Sequence, residues 1–174
     1  LLIIDLKNTK GLTIRPIYNM SGYHSTEVFY DDVKVPKENM VGERGRGWLA
    51  AMALVNIERS GLGFASMPQR ILEQLIEYAK ETKHNGVPLA QIPRVRHKLS
   101  EMAIEIEVCR LLAYRVAWVQ ATGQDVTSVG AIIKLFGSEL EQRLSETGME
   151  ILGLYCQLQE GDKRAPMNGA LELY

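Results

Sequence analysis

Cysteine is scarce in this 174-residue chain, which carries only Cys109 and Cys156. They share no C-x-x-C spacing and no His-rich neighbourhood, which excludes a disulfide framework and a thiolate zinc site and fits a reducing, cytoplasmic setting. An excess of positive charge is missing too. Lys+Arg number 20 against 21 Asp+Glu, a net charge of -1, so the clustered basic footprint that nucleic acid requires is lacking. No apolar run reaches the roughly 18–20 residues of a membrane span. Neither nucleic acid nor a membrane is therefore expected as a partner. The three histidines, His24, His84 and His97, stand in unrelated contexts without paired-ligand spacing, and no metal is expected. The opening Leu1-Leu2-Ile3-Ile4-Asp5 has no basic leader, no small-residue cleavage site and no initiator Met. With the equally abrupt Leu171-Glu172-Leu173-Tyr174, it makes the chain read as a fragment that starts inside a domain.

What is present is a sizeable apolar fraction, 46% of residues, enough to bury one core, or one and a part. The first forty residues read as strands. Leu1–Leu6 is a short apolar run closed by a turn cluster ending at Gly11, and Leu12–Ile17 alternates, with Pro16 marking an edge. Ser21-Gly22 is a turn, Glu27–Tyr30 a third strand and Val33–Pro36 a short fourth. Gly42-Glu43-Arg44-Gly45-Arg46-Gly47 then reads as a link from sheet to helix. Its spacing matches neither phosphate-loop fingerprint. The expected division is 1–43 for the end of a β domain and 44–174 for a helical bundle lacking its final helices.

The helical part opens with Trp48, Leu49, Met52, Leu54 and Val55, dense enough to predict a helix buried on more than one side. Gly61, Gly63 and Pro68 interrupt it, and Ser66-Met67-Pro68-Gln69 predicts a capped restart. Phe64, Met67, Ile71, Leu75 and Tyr78 give the next helix a core stripe. From Pro93 to Gly123 the seam Val95, Leu99, Met102, Ile106, Cys109, Ala113 and Val116 steps by four and three throughout. Cys109 on that seam is read as a small buried hydrophobe. Asp125-Val126-Thr127-Ser128 caps a third long helix whose inner face is Val129, Ile133, Phe136, Leu140, Leu144, Thr147 and Ile151, ended by Gly153. Three long helices with short joints predict a mainly α, up-down antiparallel bundle preceded by the last strands of a β domain, and a fourth helix is wanted.

Asn56-Ile57-Glu58-Arg59 is where chemistry is expected. A helical Glu beside an Arg is ordinarily a solvated surface pair. Here the surround is apolar, and Gly61 and Gly63 would let something approach the backbone closely. A carboxylate in such a place would have its pKa raised by desolvation, which makes a useful base near neutral pH.

The stretch Glu27–Pro36, followed by Val41-Gly42 and the Gly-rich turn to Gly47-Trp48, resembles acyl-CoA dehydrogenases. The likeness continues through Glu58-Arg59, Tyr78-Ala79, Gly86–Leu89 and Lys134-Leu135-Phe136, so it covers essentially the whole chain and less than half of a family chain. It implies an FAD enzyme that removes an α-proton from an acyl-CoA thioester, while a hydride passes from the β-carbon to the flavin. The product is a trans-2-enoyl-CoA, and an electron-transfer flavoprotein reoxidises the cofactor. In the isovaleryl-type members the base lies on the first bundle helix directly before an Arg, which Glu58 and Arg59 match; elsewhere it lies in a segment absent here. Asn56 replaces an Asp that commonly reaches the CoA moiety.

The Arg and Phe that hold FAD across a subunit interface in the family fall on Thr82 and Asn85. A Gln and a Gly-Gly pair fall on Glu150, Gly153 and Leu154. Only Gly153 is kept, and an acidic Glu150 near a pyrophosphate is unfavourable unless a cation intervenes. The resemblance further implies a homo- or hetero-oligomer sharing FAD sites, with a fragment inactive alone. The departures leave open a flavin-poor partner subunit, and the fold also serves acyl-CoA oxidases and flavin monooxygenases.

Overall fold

The computed structural model describes residues 1–20, 23–58, 61 and 63–169, without the side chains of 56–58. The chain divides into two compact units, Leu1–Ile57 and Glu58–Tyr174. In the first, β1 (Leu12–Tyr18) pairs antiparallel with β2 (His24–Tyr30), Leu12 opposite Tyr30 and Tyr18 opposite His24. Pro16 sits within β1, tolerated because both strands of a two-stranded ribbon are edges. Almost every residue of the ribbon is exposed. The expected turn at Ser21-Gly22 lies outside the described residues.

Two expected strands do not form as read. Leu1–Leu6 contributes one antiparallel bridge, Leu2 opposite Met40, flanked by the Ile3 amide donating to the Asn39 carbonyl at 3.0 Å. Val33–Pro36 is not a strand: Asp32 turns the chain with a φ of 47°, and Pro36 leads into the single 3-10 turn Lys37–Asn39. A left-handed residue ahead and a proline behind leave too short a run to pair.

Helix α1 spans Gly47–Glu58. The expectation that it is buried on more than one side is not met, because Trp48 is 73% exposed and Leu54 65%. Dense apolar residues without a period give no preferred face.

The second unit is an up-down antiparallel bundle of α2 (Gly63–Glu81), α3 (Pro93–Ala121) and α4 (Thr127–Leu152), with a tiny hairpin, β3 (Lys83–His84) and β4 (Val87–Pro88), between α2 and α3. The α3 seam is buried as read, from Leu99 through Val116 and on to Val119, with Cys109 fully covered. On α4, Ile133, Leu140 and Leu144 are fully covered, and Gly130, Gly137 and Gly148 join them on the inner face. The opposed directions of α3 and α4 show in cross-links whose order reverses. Glu105 receives Arg143, and Lys98, seven residues earlier, reaches Glu150, seven residues later.

Helix α2 differs from its reading in two ways. It starts at Gly63 with Pro68 inside it, so Ser66 is not its cap; the Ser66 hydroxyl donates back to the Gly63 carbonyl at 3.4 Å, and the Gln69 amide donates to Glu73. The buried stripe is Ala65, Pro68, Ile71, Leu72, Leu75 and Ala79, while Met67 is exposed. Pro68 lies inside the helix with its ring fully buried in the core. Asp125 does cap α4: its carboxylate accepts from the Thr127 amide at 3.0 Å and the Thr127 hydroxyl at 2.6 Å. Beyond Tyr155 the described residues form only short 3-10 turns, Gly153–Gln157 and Pro166–Gly169. Both cysteines are free, and no helix among the described residues is long and apolar enough to cross a membrane.

Candidate functional site

The backbone of Asn56, Ile57 and Glu58 forms the last turn of α1. The side chains of Asn56 and Glu58, and Arg59 altogether, lie outside the described residues. Three positions past Glu58, Gly61 is buried with a φ of 73°, and a Cβ there would come within 2.4 Å of Ile133 Cδ1. The group that approaches this glycine closely is therefore the chain's own α4 core. Gly63 has nothing near it. The Phe64 amide donates to the Gly61 carbonyl at 3.1 Å, and the Phe64 ring rests against Gly137, where a Cβ would lie 2.6 Å from its Cγ. Lys134 Nζ stands 4.7 Å above the same ring, a cation–π contact. These contacts tie the start of α2 to α4.

The four positions matched to cofactor contacts fall on connected elements. Thr82 closes α2: its amide donates to the Tyr78 carbonyl at 2.9 Å and its carbonyl accepts from the Leu89 amide at 2.9 Å. Asn85 occupies the two-residue turn of the β3–β4 hairpin with a φ of 51°, followed by Gly86 at 83°, the geometry for which Asn-Gly is preferred. Gly153 ends α4 with a φ of 60°, its amide donating to the Met149 carbonyl. Glu150, one turn from that end, faces α3. It accepts from Lys98 Nζ at 2.5 Å and Arg94 Nη2 at 3.1 Å, both on Oε2.

Lys98 first, then Arg94, hold the Glu150 carboxyl below its ordinary 4.5. The three charged groups line a cavity of about 540 Å³ whose other walls are His84, Ile92, Val95 and Ile151. Glu150 thus shares one groove with His84, the residue just before Asn85. Glu150 is paired with two cations.

Two groups escaped the sequence reading. Arg94 and Lys98 lie more than fifty residues from Glu150, and only the antiparallel packing of α3 on α4 joins them. Glu141 is the one described carboxyl pushed upward, by burial and against the pull of Lys134. It in turn adds to the burial that raises the Cys109 thiol. A half-buried acid one position off a core stripe leaves no signal in a hydrophobic pattern.

Three antiparallel helices with a short hairpin between the first two define the second unit as a helical-bundle domain. The family model for the acyl-CoA dehydrogenase C-terminal domain matches residues 45–168, and the chain belongs to that family. It is 31% identical over 157 residues to the short-chain specific acyl-CoA dehydrogenase of Megasphaera elsdenii, covering 87% of this chain and 41% of that protein. It is 29% identical over 162 residues to the caffeyl-CoA reductase-Etf complex subunit CarC of Acetobacterium woodii, covering 91% and 43%. Among solved structures, the ChsE4-ChsE5 complex from Mycobacterium tuberculosis superposes with a TM-score of 0.87 at 28% identity, over 99% of this chain and 45% of that one. The chain spans about two fifths of the length of the relatives it matches.

Proposed function

We propose that this chain is the helical-bundle part of an FAD-dependent acyl-CoA dehydrogenase, acting on an acyl-CoA thioester to give the trans-2-enoyl-CoA. The match of residues 45–168 to the family's C-terminal domain carries the reading. Glu58, in the last turn of α1, takes the α-proton on its carboxylate, and Asn56 and Arg59 bind and orient the thioester beside it. FAD, when bound, supplies the acceptor for the hydride that leaves the β-carbon. The donor set at the end of the bundle fits such a cofactor: Thr82 and Asn85 bring no cation, but Arg94 and Lys98 do. Electrons pass on to an electron-transfer flavoprotein, in keeping with a relative named as a subunit of an Etf complex.

The decisive experiment is Glu58→Gln in the full-length enzyme, with turnover and flavin reduction followed separately. A fall in both of about 10³-fold or more is expected for a lost general base in a desolvated site. Near-normal turnover would place the base elsewhere in the protein. A second reading makes this subunit a flavin-poor partner in a hetero-oligomer. It is favoured by Thr82 and Asn85, and by the likeness to a protein solved as the two-component ChsE4-ChsE5 complex. Purified full-length protein that is yellow, and whose flavin is reduced by acyl-CoA without a partner, would exclude it.

A further inference from the structure

Phe64, the second residue of α2, is engaged on three sides although it is only partly buried. Its amide donates to the Gly61 carbonyl at 3.1 Å, and its carbonyl accepts the Cys109 thiol of α3 at 3.4 Å. Its ring lies so close to Gly137 that a Cβ there would come within 2.6 Å of its Cγ and 2.7 Å of its own Cβ. Those atoms stand at the root of the side chain, so only a shift of the helix start would make room. Lys134, one turn before Gly137 and exposed, holds its Nζ 4.7 Å over the same ring. A surface lysine gives up rotamer freedom to lie there, and the packing of α2 does not require it. One turn of α4 thus grips the chain twice, at Phe64 and, through Ile133, at Gly61.

Gly61 stands three residues beyond Glu58, which opens the same compact unit. Three residues of chain span at most about 11 Å, so the freedom of Glu58 is limited by how firmly Gly61 and Phe64 are held. We propose that Lys134 and Gly137, acting through Phe64, are positioning residues for the segment that carries Glu58. The inference rests on the reading of Glu58 as the base and adds to it. Proton transfer tolerates little displacement, and a shift of about 1 Å costs up to about 100-fold in rate. Lys134 supplies the grip on the ring, and Gly137 supplies the room that the ring occupies.

In the full-length enzyme, single-turnover reduction of the bound flavin is followed with butyryl-CoA and longer straight-chain acyl-CoA thioesters, as a rate per bound flavin. The variants are Phe64→Leu, Lys134→Met, Lys134→Arg and Gly137→Ala, each with and without Glu58→Gln. Phe64→Leu, Lys134→Met and Gly137→Ala should each slow flavin reduction about 10- to 100-fold, with half-saturation within about threefold of the parent. Lys134→Arg keeps a cation over the ring and should stay within about threefold in rate. None should slow the Glu58→Gln enzyme further by more than about twofold. Hydrogen exchange of the amides of residues 56–64, which needs no reaction, should rise about threefold or more in the same three variants. Parental rates beside a nearly inactive Glu58→Gln enzyme would refute the clamp and leave the base reading intact. Unchanged exchange, a Lys134→Arg enzyme as slow as Lys134→Met, or losses that multiply with a slow Glu58→Gln would also refute it and make the cluster packing alone. Normal turnover of Glu58→Gln would remove the base reading; slow, fast-exchanging clamp variants would then keep the positioning role for another residue of that segment.

Discussion

The thiol of Cys109 on α3 donates to the carbonyl of Phe64 on α2 at 3.4 Å. That carbonyl is the one Pro68, four residues on, cannot serve, because proline has no N–H. A buried carbonyl without a donor is costly, so the proline in α2 and the cysteine in α3 form a matched pair. A double-mutant cycle tests the match. Pro68→Ala restores the helical donor, and Cys109→Ala then costs less than it does in the parent by about 0.5–1.5 kcal/mol. Urea denaturation of the four proteins gives the coupling, and strict additivity would refute it.

Gly61 and Gly63 are separated by one residue and should respond oppositely to alanine. At Gly61 the backbone is left-handed and a Cβ would strike Ile133 at 2.4 Å, so Gly61→Ala is expected to destabilise by about 1–3 kcal/mol. Gly63 begins α2 with open space around it. Gly63→Ala should be neutral or stabilise by up to about 0.5–1 kcal/mol. Thermal unfolding of the two variants separates the cases, and equal effects would contradict the packing of Gly61 on α4.

The Asn85-Gly86 turn closes the β3–β4 hairpin. Its φ of 51° suits Asn and disfavours bulky side chains. Asn85→Gly should leave stability unchanged within a few tenths of a kcal/mol, whereas Asn85→Phe should cost about 1–2 kcal/mol. If denaturation midpoints show Asn85→Phe to be harmless, the turn is not held in this conformation.

Glu141 gives a pH signature of defined sign. Burial raises its folded-state pKa above the ordinary 4.5, so the native chain binds this proton more readily than the unfolded one. The group's contribution to stability therefore falls as pH rises through 4.5 and past the folded value. Glu141→Gln is expected to stabilise the bundle at pH 7 and to converge with the parent below 4.5. Denaturant titrations at both ends of that range check it; a gain that persists unchanged in acid would point to packing.

How much of this was legible beforehand follows from the physics of each element. The α3 seam was read correctly over its length because a long helix with steps of four and three permits one inner face. The α2 stripe was read slightly out of register. Proline signals a boundary locally, whereas the tertiary structure buries Pro68 inside the helix. The apolar density of α1 suggested burial, yet density without a period says nothing about which face is covered, or by what. Glycines 61 and 63 were read alike as openings, but only the position of Ile133 distinguishes them.

By itself the sequence determined the three long helices of the bundle and most of their buried face, though not where α2 begins. Those depend on residues within a few turns of one another, and they make the family resemblance visible through the strand-to-helix junction and the Glu58-Arg59 pair. The tertiary structure decided what pairs with what. Cys109 serves Phe64 from 45 residues away, and Arg94 and Lys98 find Glu150 across 56 and 52 residues. No local pattern encodes such partners. They meet because α3 and α4 run antiparallel with a single register, fixed by how the core side chains pack.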